Sequence, residues 1–141
     1  MKTAVVFYSF HGATKKFAQN EANIRKADLF EIKEAKKRNI FTAFLPGCIQ
    51  SGKQQDVPLE FAPDLSEYDH FVLMSPVWAG FPAPAFNSAL NILPDGAEVE
   101  VFLVSGGGDT SKNAAAIKAL VAERGLTLSG YTDLKSASEQ S

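Results

Sequence analysis

"VVFYSFHGATKKFA", residues 5–18, opens as an apolar, β-branched and aromatic run and closes with helical spacing. Between the halves lie Ser9, Phe10, His11, Gly12, Ala13 and Thr14: two hydroxyls, one glycine and no acid. A buried strand that feeds a helix through such a turn points the helix's first N–H groups, and the positive end of its dipole, into the turn. Hydroxyls and free amides without a carboxylate suit an anion such as a phosphate group. The same residues also fit a plain helix start with Ser9 or Thr14 as N-cap. On this stretch alone both readings stand.

The pattern repeats downstream. Residues 4–8, 71–74 and 99–104 are short and mostly apolar, as strands covered on both faces require. Helical stripes alternate with them. Phe86, Ala89, Leu90 and Leu93 follow the i, i+3, i+4, i+7 rule between Pro84 and Pro94, and Ala114, Ile117, Leu120 and Val121 form a second stripe stopped by Gly125. A weaker helix over 13–24 carries Phe17, Ala18 and Ala22. Residues 28–32 and 126–131 alternate instead, as edge strands with one less covered face do. The order predicts a doubly wound α/β fold: a parallel sheet wrapped by right-handed crossovers.

The chain of 141 residues is expected to form one domain, 1–141, since it shows no repeat and no linker. Its net charge of −2 argues against a nucleic-acid or anionic-membrane binder, both of which need a basic field. A lone cysteine, Cys48, rules out an intrachain disulfide or a thiolate-rich metal site, and is expected to be a small buried hydrophobe. The apolar start is too short for a membrane span and lacks a cleavage site, so a cytoplasmic protein is expected. Residues 34–66 are the least readable. They hold a basic cluster (Lys33, Lys36, Lys37, Arg38) expected to be a solvated face, and "IFTAFL" (40–45), which suits a short helix.

Ligands of open parallel sheets bind outside the carboxyl ends of the strands. Two further loops fall at that edge. "SPVWAGFPAP", 75–84, holds the only tryptophan, Trp78, between stiffening prolines. Its ring suits stacking on a flat ligand, or packing under the loop as core. "SGGGDTSKN", 105–113, brings three glycines before a helix, where Asp109 or Thr110 is the expected N-cap. The glycines miss the dinucleotide spacing, and "SGK" at 51–53 is not a Walker loop because Gln54 follows.

With these three loops in this order the sequence resembles the flavodoxin family over nearly its whole length, least at 34–60. "SFHGAT" is similar to the family's phosphate loop except at His11, "YDHFVLMSPVWAGFPAP" to its second flavin loop, and "SGGGDTS" to its third. The resemblance implies a five-stranded parallel sheet in the order 2-1-3-4-5 with FMN at the switch point between the first and third strands; flavodoxin itself is a standard illustration of this rule. It implies a cofactor site of Ser9, Phe10, His11, Gly12, Ala13 and Thr14 in the first loop. The second loop would add Pro76, Val77, Trp78, Ala79, Gly80 and Phe81, and the third Ser105, Gly106, Gly107, Gly108 and Asp109. Gly80 would let a peptide rotate to give the reduced flavin N5–H an acceptor.

The third loop lacks the aromatic that covers the flavin's second face in many members, so one face is expected to be open. A redox partner protein or a small electron acceptor is implied. An FMN-dependent NAD(P)H:quinone-type reductase and a flavin-free interaction module remain alternatives. A receiver domain is excluded because Ser9 and Ser75 stand near the strand ends that would need acids, and a hydrolase is disfavoured because neither His11 nor His70 has an obvious Ser or Cys nucleophile partner.

After Tyr131 only Leu134 is large and apolar, too little for the family's last helix. With 99–104 read as apolar on both sides, the expectation is an uncovered patch beside the last strand, closed by a homodimer or a partner subunit, the alternative being that residues 34–60 or the tail fold back over it.

Overall fold

The opening apolar run becomes β1 (Thr3–Phe7), whose last four residues are buried. In this computed structural model residues 2–39 and 46–136 are described. After β1 the chain forms α1 (Ala13–Arg25), β2 (Asp28–Glu31), α2 (Cys48–Gly52), β3 (His70–Trp78), β4 (Phe81–Pro82), α3 (Pro84–Leu90), β5 (Glu98–Ser105), α4 (Ala114–Glu123) and β6 (Thr127–Lys135). Five strands pair in parallel in the order β2-β1-β3-β5-β6, with β4 folded antiparallel onto β3. With the two-residue β4 set aside, this is the expected 2-1-3-4-5 order.

Side-chain alternation divides the core. Val5, Phe7, Val72 and Met74 meet Ala18 and Ala22 of α1 on one face of the sheet. Val6, Phe71, Leu73, Val101 and Leu103 meet Phe86 and Leu90 of α3 and Ile117 and Val121 of α4 on the other. Adjacent residues of β1 therefore pack against opposite layers, which is why its pattern is continuous rather than alternating.

Several boundaries differ from the expectation. β3 continues through Ser75, Pro76 and Val77 to Trp78, so most of the anticipated second loop is strand. Only Ala79 and Gly80 turn, with φ of 54° and 86°, and Trp78 then pairs with Phe81 and Val77 with Pro82. Two central residues at positive φ make the primed hairpin turn that matches strand twist. α3 stops at Leu90, although Leu93 is still buried beyond it. β6 extends past Tyr131 to Lys135, held along the whole of β5.

In the segment after β2, Glu34 bridges Leu59, while Ala35 N–H donates to the Pro58 carbonyl and Glu60 N–H to that of Lys33. The chain thus doubles back beside β2. Cys48 is half-buried rather than buried, and "IFTAFL" lies outside the described residues.

The reading of 99–104 as apolar on both sides is corrected by Glu100. α1 ends with Arg25 over β5, where its guanidinium donates to both Glu100 oxygens (2.7 and 2.9 Å) and lies 5.9 Å from the Phe102 ring. His70 Nε2 meets Glu100 Oε2 at 2.5 Å, and its Nδ1 meets Glu98 at 3.2 Å. The carboxylate is tolerated because it is paired. Among the described residues the exposed large apolar side chains are Ile24, Leu29, Ile49 and Phe61, none of them on β5 or β6. The apolar patch on which the dimer expectation rested is therefore not found there.

Candidate functional site

The turns after β1, β3 and β5 share the carboxyl edge of the sheet. In the first, Gly12 has φ 105° and is the N-cap of α1, without any side-chain cap. Lys16 N–H makes the first helical bond, to the Gly12 carbonyl. The amides of Ala13, Thr14 and Lys15 thus precede the helix's own bonding. Neither Ser9 nor Thr14 caps the helix. The Ser9 hydroxyl instead accepts from Gly12 N–H at 3.0 Å, which holds the turn.

Thr14 is fully buried and its Oγ1 has no hydrogen-bond partner. Buried hydroxyls are normally satisfied, so an orphan at a helix start is a marked exception. Space is open where a Cβ on Gly12 would stand. His11 is exposed and edges onto Phe10, 4.4 Å between ring centroids.

At the second turn Asn113 Nδ2 donates to the Gly80 carbonyl at 3.0 Å and ties the hairpin to the start of α4. Pro76 is buried, Val77, Trp78, Gly80 and Phe81 are half-buried, and Ala79 is exposed. Trp78 stands edge-on to Tyr8 (6.0 Å) and Phe10 (5.7 Å). It is half-buried, so it combines the core and surface features that the sequence allowed.

In the third turn Ser105 Oγ accepts from Gly108 N–H at 2.8 Å, while Gly106 and Gly107 are exposed with open space beside them. Asp109 and Thr110 do not cap α4, which starts at Ala114 after a 3₁₀ turn over Ser111–Asn113. Asp109 accepts instead from Ser111 N–H (2.8 Å), and Thr110 gives its N–H and hydroxyl to Asp133 of β6 (3.0 and 2.7 Å).

The chain after β2 supplies a cluster that sequence reasoning missed. The Tyr8 hydroxyl and Arg38 Nε both donate to Glu34 Oε2, at 2.8 and 2.6 Å. Arg38 also donates to Gln50 (2.5 Å) and lies 5.3 Å from the Trp78 ring. Burial, and then the Glu34 carboxylate, push the Tyr8 phenol far above its usual range. A Cβ on Gly47 would stand 3.0 Å from Trp78 and 2.9 Å from Arg38, so a side chain there would displace the guanidinium and crowd the ring. The "basic cluster" is thus heterogeneous: Arg38 is inside, and Lys33, Lys36 and Lys37 are outside. The spacing Glu34 to Arg38 was the one local signal for their pairing.

A cavity of about 240 Å³ lies between Tyr8, Ser9 and Phe10 on one side and residues 31–38 and Glu60 on the other. Among the described residues no group of His, Cys, Asp or Glu could hold a metal ion, and no helix is long and apolar enough to cross a membrane.

No family model matches this sequence, and no curated protein matches it. Solved structures do. The chain is similar to a flavoprotein from Lactobacillus acidophilus NCFM in complex with FMN, with a TM-score of 0.72 and 27% identity over 92% of this chain and 91% of that one. It is also similar to proteins named as flavoproteins from Bacteroides uniformis ATCC 8492 (TM-score 0.83, 20% identity, 98% and 92% covered) and Bacteroides eggerthii DSM 20697 (0.81, 18%, 98% and 91%). The fold is flavodoxin-like.

Proposed function

We propose that this chain binds FMN non-covalently at the carboxyl edge of β1, β3 and β5 and passes electrons to a redox partner protein or a small acceptor. The observation that carries the reading is the buried, unpartnered Thr14 hydroxyl at a helix start that lacks a side-chain cap. A phosphate would supply the missing acceptor and meet the positive end of α1. The FMN complex of the Lactobacillus acidophilus protein supports the choice of ligand.

In this reading Ser9, Phe10, His11, Gly12, Ala13 and Thr14 hold the phosphate. The hairpin from Pro76 to Phe81 carries one side of the flat ring, and Ser105, Gly106, Gly107, Gly108 and Asp109 lie along the other. The flavin supplies one- and two-electron redox chemistry. The chain anchors it, excludes water from its inner side with Trp78 and Phe10, and leaves its outer face approachable, because the third loop carries no aromatic. Titrating FMN and riboflavin into the flavin-free chain, with Trp78 emission as readout, tests this. FMN should bind far more tightly than riboflavin and change the emission; equal affinities would remove the phosphate assignment.

The open third loop also favours a second reading, an FMN-dependent reductase of quinones or similar acceptors. Prompt anaerobic bleaching by NADH or NADPH would select it over a carrier.

A further inference from the structure

The cavity beside Ser9 and Phe10 adjoins the first turn, and no residue of the turns after β3 and β5 lines it. In the sheet order β2 flanks β1 on one side and β3 and β5 on the other. A ring held by the turns after β3 and β5 therefore lies on the β3 side of the first turn, whereas this cavity opens on the β2 side, against residues 31–38.

Its size and walls restrict the occupant. At about 240 Å³ it is smaller than the roughly 300–1,000 Å³ of pockets for drug-sized ligands. That admits one or two fused rings and not a dinucleotide. Phe10 presents an aromatic surface and is braced edge-on by Trp78 at 5.7 Å.

Charge narrows it further. Of the lining carboxylates, Glu34 is taken by Arg38 (2.6 Å) and Glu31 faces Lys15 (3.7 Å). Lys33, Lys36 and Lys37 line the same cavity, are exposed, and have no ion pair among the described residues. Against these three cations only Glu60 stands uncompensated.

We propose that this cavity binds a small planar organic anion, an aromatic ring bearing a carboxylate, sulfonate or phosphate, with the ring against Phe10 and the charge among Lys33, Lys36 and Lys37. The binding goes beyond the proposed function and does not rest on the FMN reading.

Naphthalene sulfonate and a neutral naphthalene alcohol serve as redox-inert probes, titrated calorimetrically into the full chain with and without FMN. The sulfonate should bind one site more tightly than the alcohol. Its advantage should vanish as salt shortens the Debye length from about 30 Å to about 3 Å. Lys36→Gln and Lys37→Gln should each weaken the sulfonate about threefold, the scale of an exposed charge contact, and leave FMN affinity unchanged. Equal binding of the two probes, no binding, or indifference to both substitutions would overturn the proposal. Displacement of the sulfonate by FMN would overturn it too, because the anion would then be in the 9–14 turn. If FMN itself fails to bind, the titration of the flavin-free chain still tests the cavity, so the two failures are separable.

Discussion

Thr14 is where chemistry and folding meet most closely, since a polar atom is buried there without a partner. A hydrogen bond to a charged group contributes about 1.5–3 kcal/mol. Thr14→Ala should therefore weaken FMN binding about tenfold or more, while riboflavin loses little; parallel losses for the two flavins would contradict the assignment. A second residue-scale consequence concerns Ala79. Rotating the central peptide of a turn with two positive φ values gives the form that asks for glycine at the first position, and that position is Ala79. Gly80 alone therefore does not free the rotation that the family resemblance implied. In the FMN-loaded protein Ala79→Gly should separate the two one-electron potentials, read by spectroelectrochemistry; unchanged potentials would show that the turn is no constraint. The hydroxyls, the glycines and Trp78 were legible in the sequence because each belongs to a local strand–turn–helix pattern. Tyr8, Glu34 and Arg38 were not, because the chain after β2 must first lie against the end of β1 before the three meet.

At the scale of elements, Glu100 joins α1 to β5 and β3 through Arg25 and His70. The Arg25 hydrogen bonds, more than the His70 contact, hold its carboxyl down to about 2 from an ordinary 4.5. A carboxyl with a depressed folded-state pKa contributes its full stability above the unfolded value. That contribution is lost as pH falls from about 4.5 towards about 2. The urea midpoint should accordingly drop through this window, and Glu100→Gln should flatten the drop while lowering stability near neutrality. An unaltered acid limb in Glu100→Gln would detach this carboxylate from acid unfolding. Sequence periodicity placed the five parallel strands and α1, α3 and α4, missed the short α2 and β4, and otherwise misjudged mainly where elements end. β3 and β6 run longer than their apolar stretches because partners hold them, β4 in one case and the whole of β5 in the other. The β5–β6 pairing is long-range and leaves no local mark.

Across the whole molecule the strand order was legible because uninterrupted apolar strands demand cover on both faces and alternating ones belong at edges. The state of the last strand was not. β6 is half-buried along much of its length and β2 is mostly exposed. Amide exchange should therefore be slowest in β1, β3 and β5 and faster in β2 and β6. Protection of β6 that matches β3 and rises with protein concentration would instead mark a second copy of the chain on that face.

A parallel sheet also sets the N-termini of α1 and α4 at one edge, and the exposed Lys15, Lys16, Lys33, Lys36 and Lys37 lie on the turns and helix start of that same edge. With a net charge of −2 overall, the remainder of the protein is correspondingly acidic. Those five lysines are the groups by which a charged surface would orient the molecule. On a negatively charged electrode it would land with that edge down and exchange electrons directly, and on a positively charged one it would land inverted and stay silent.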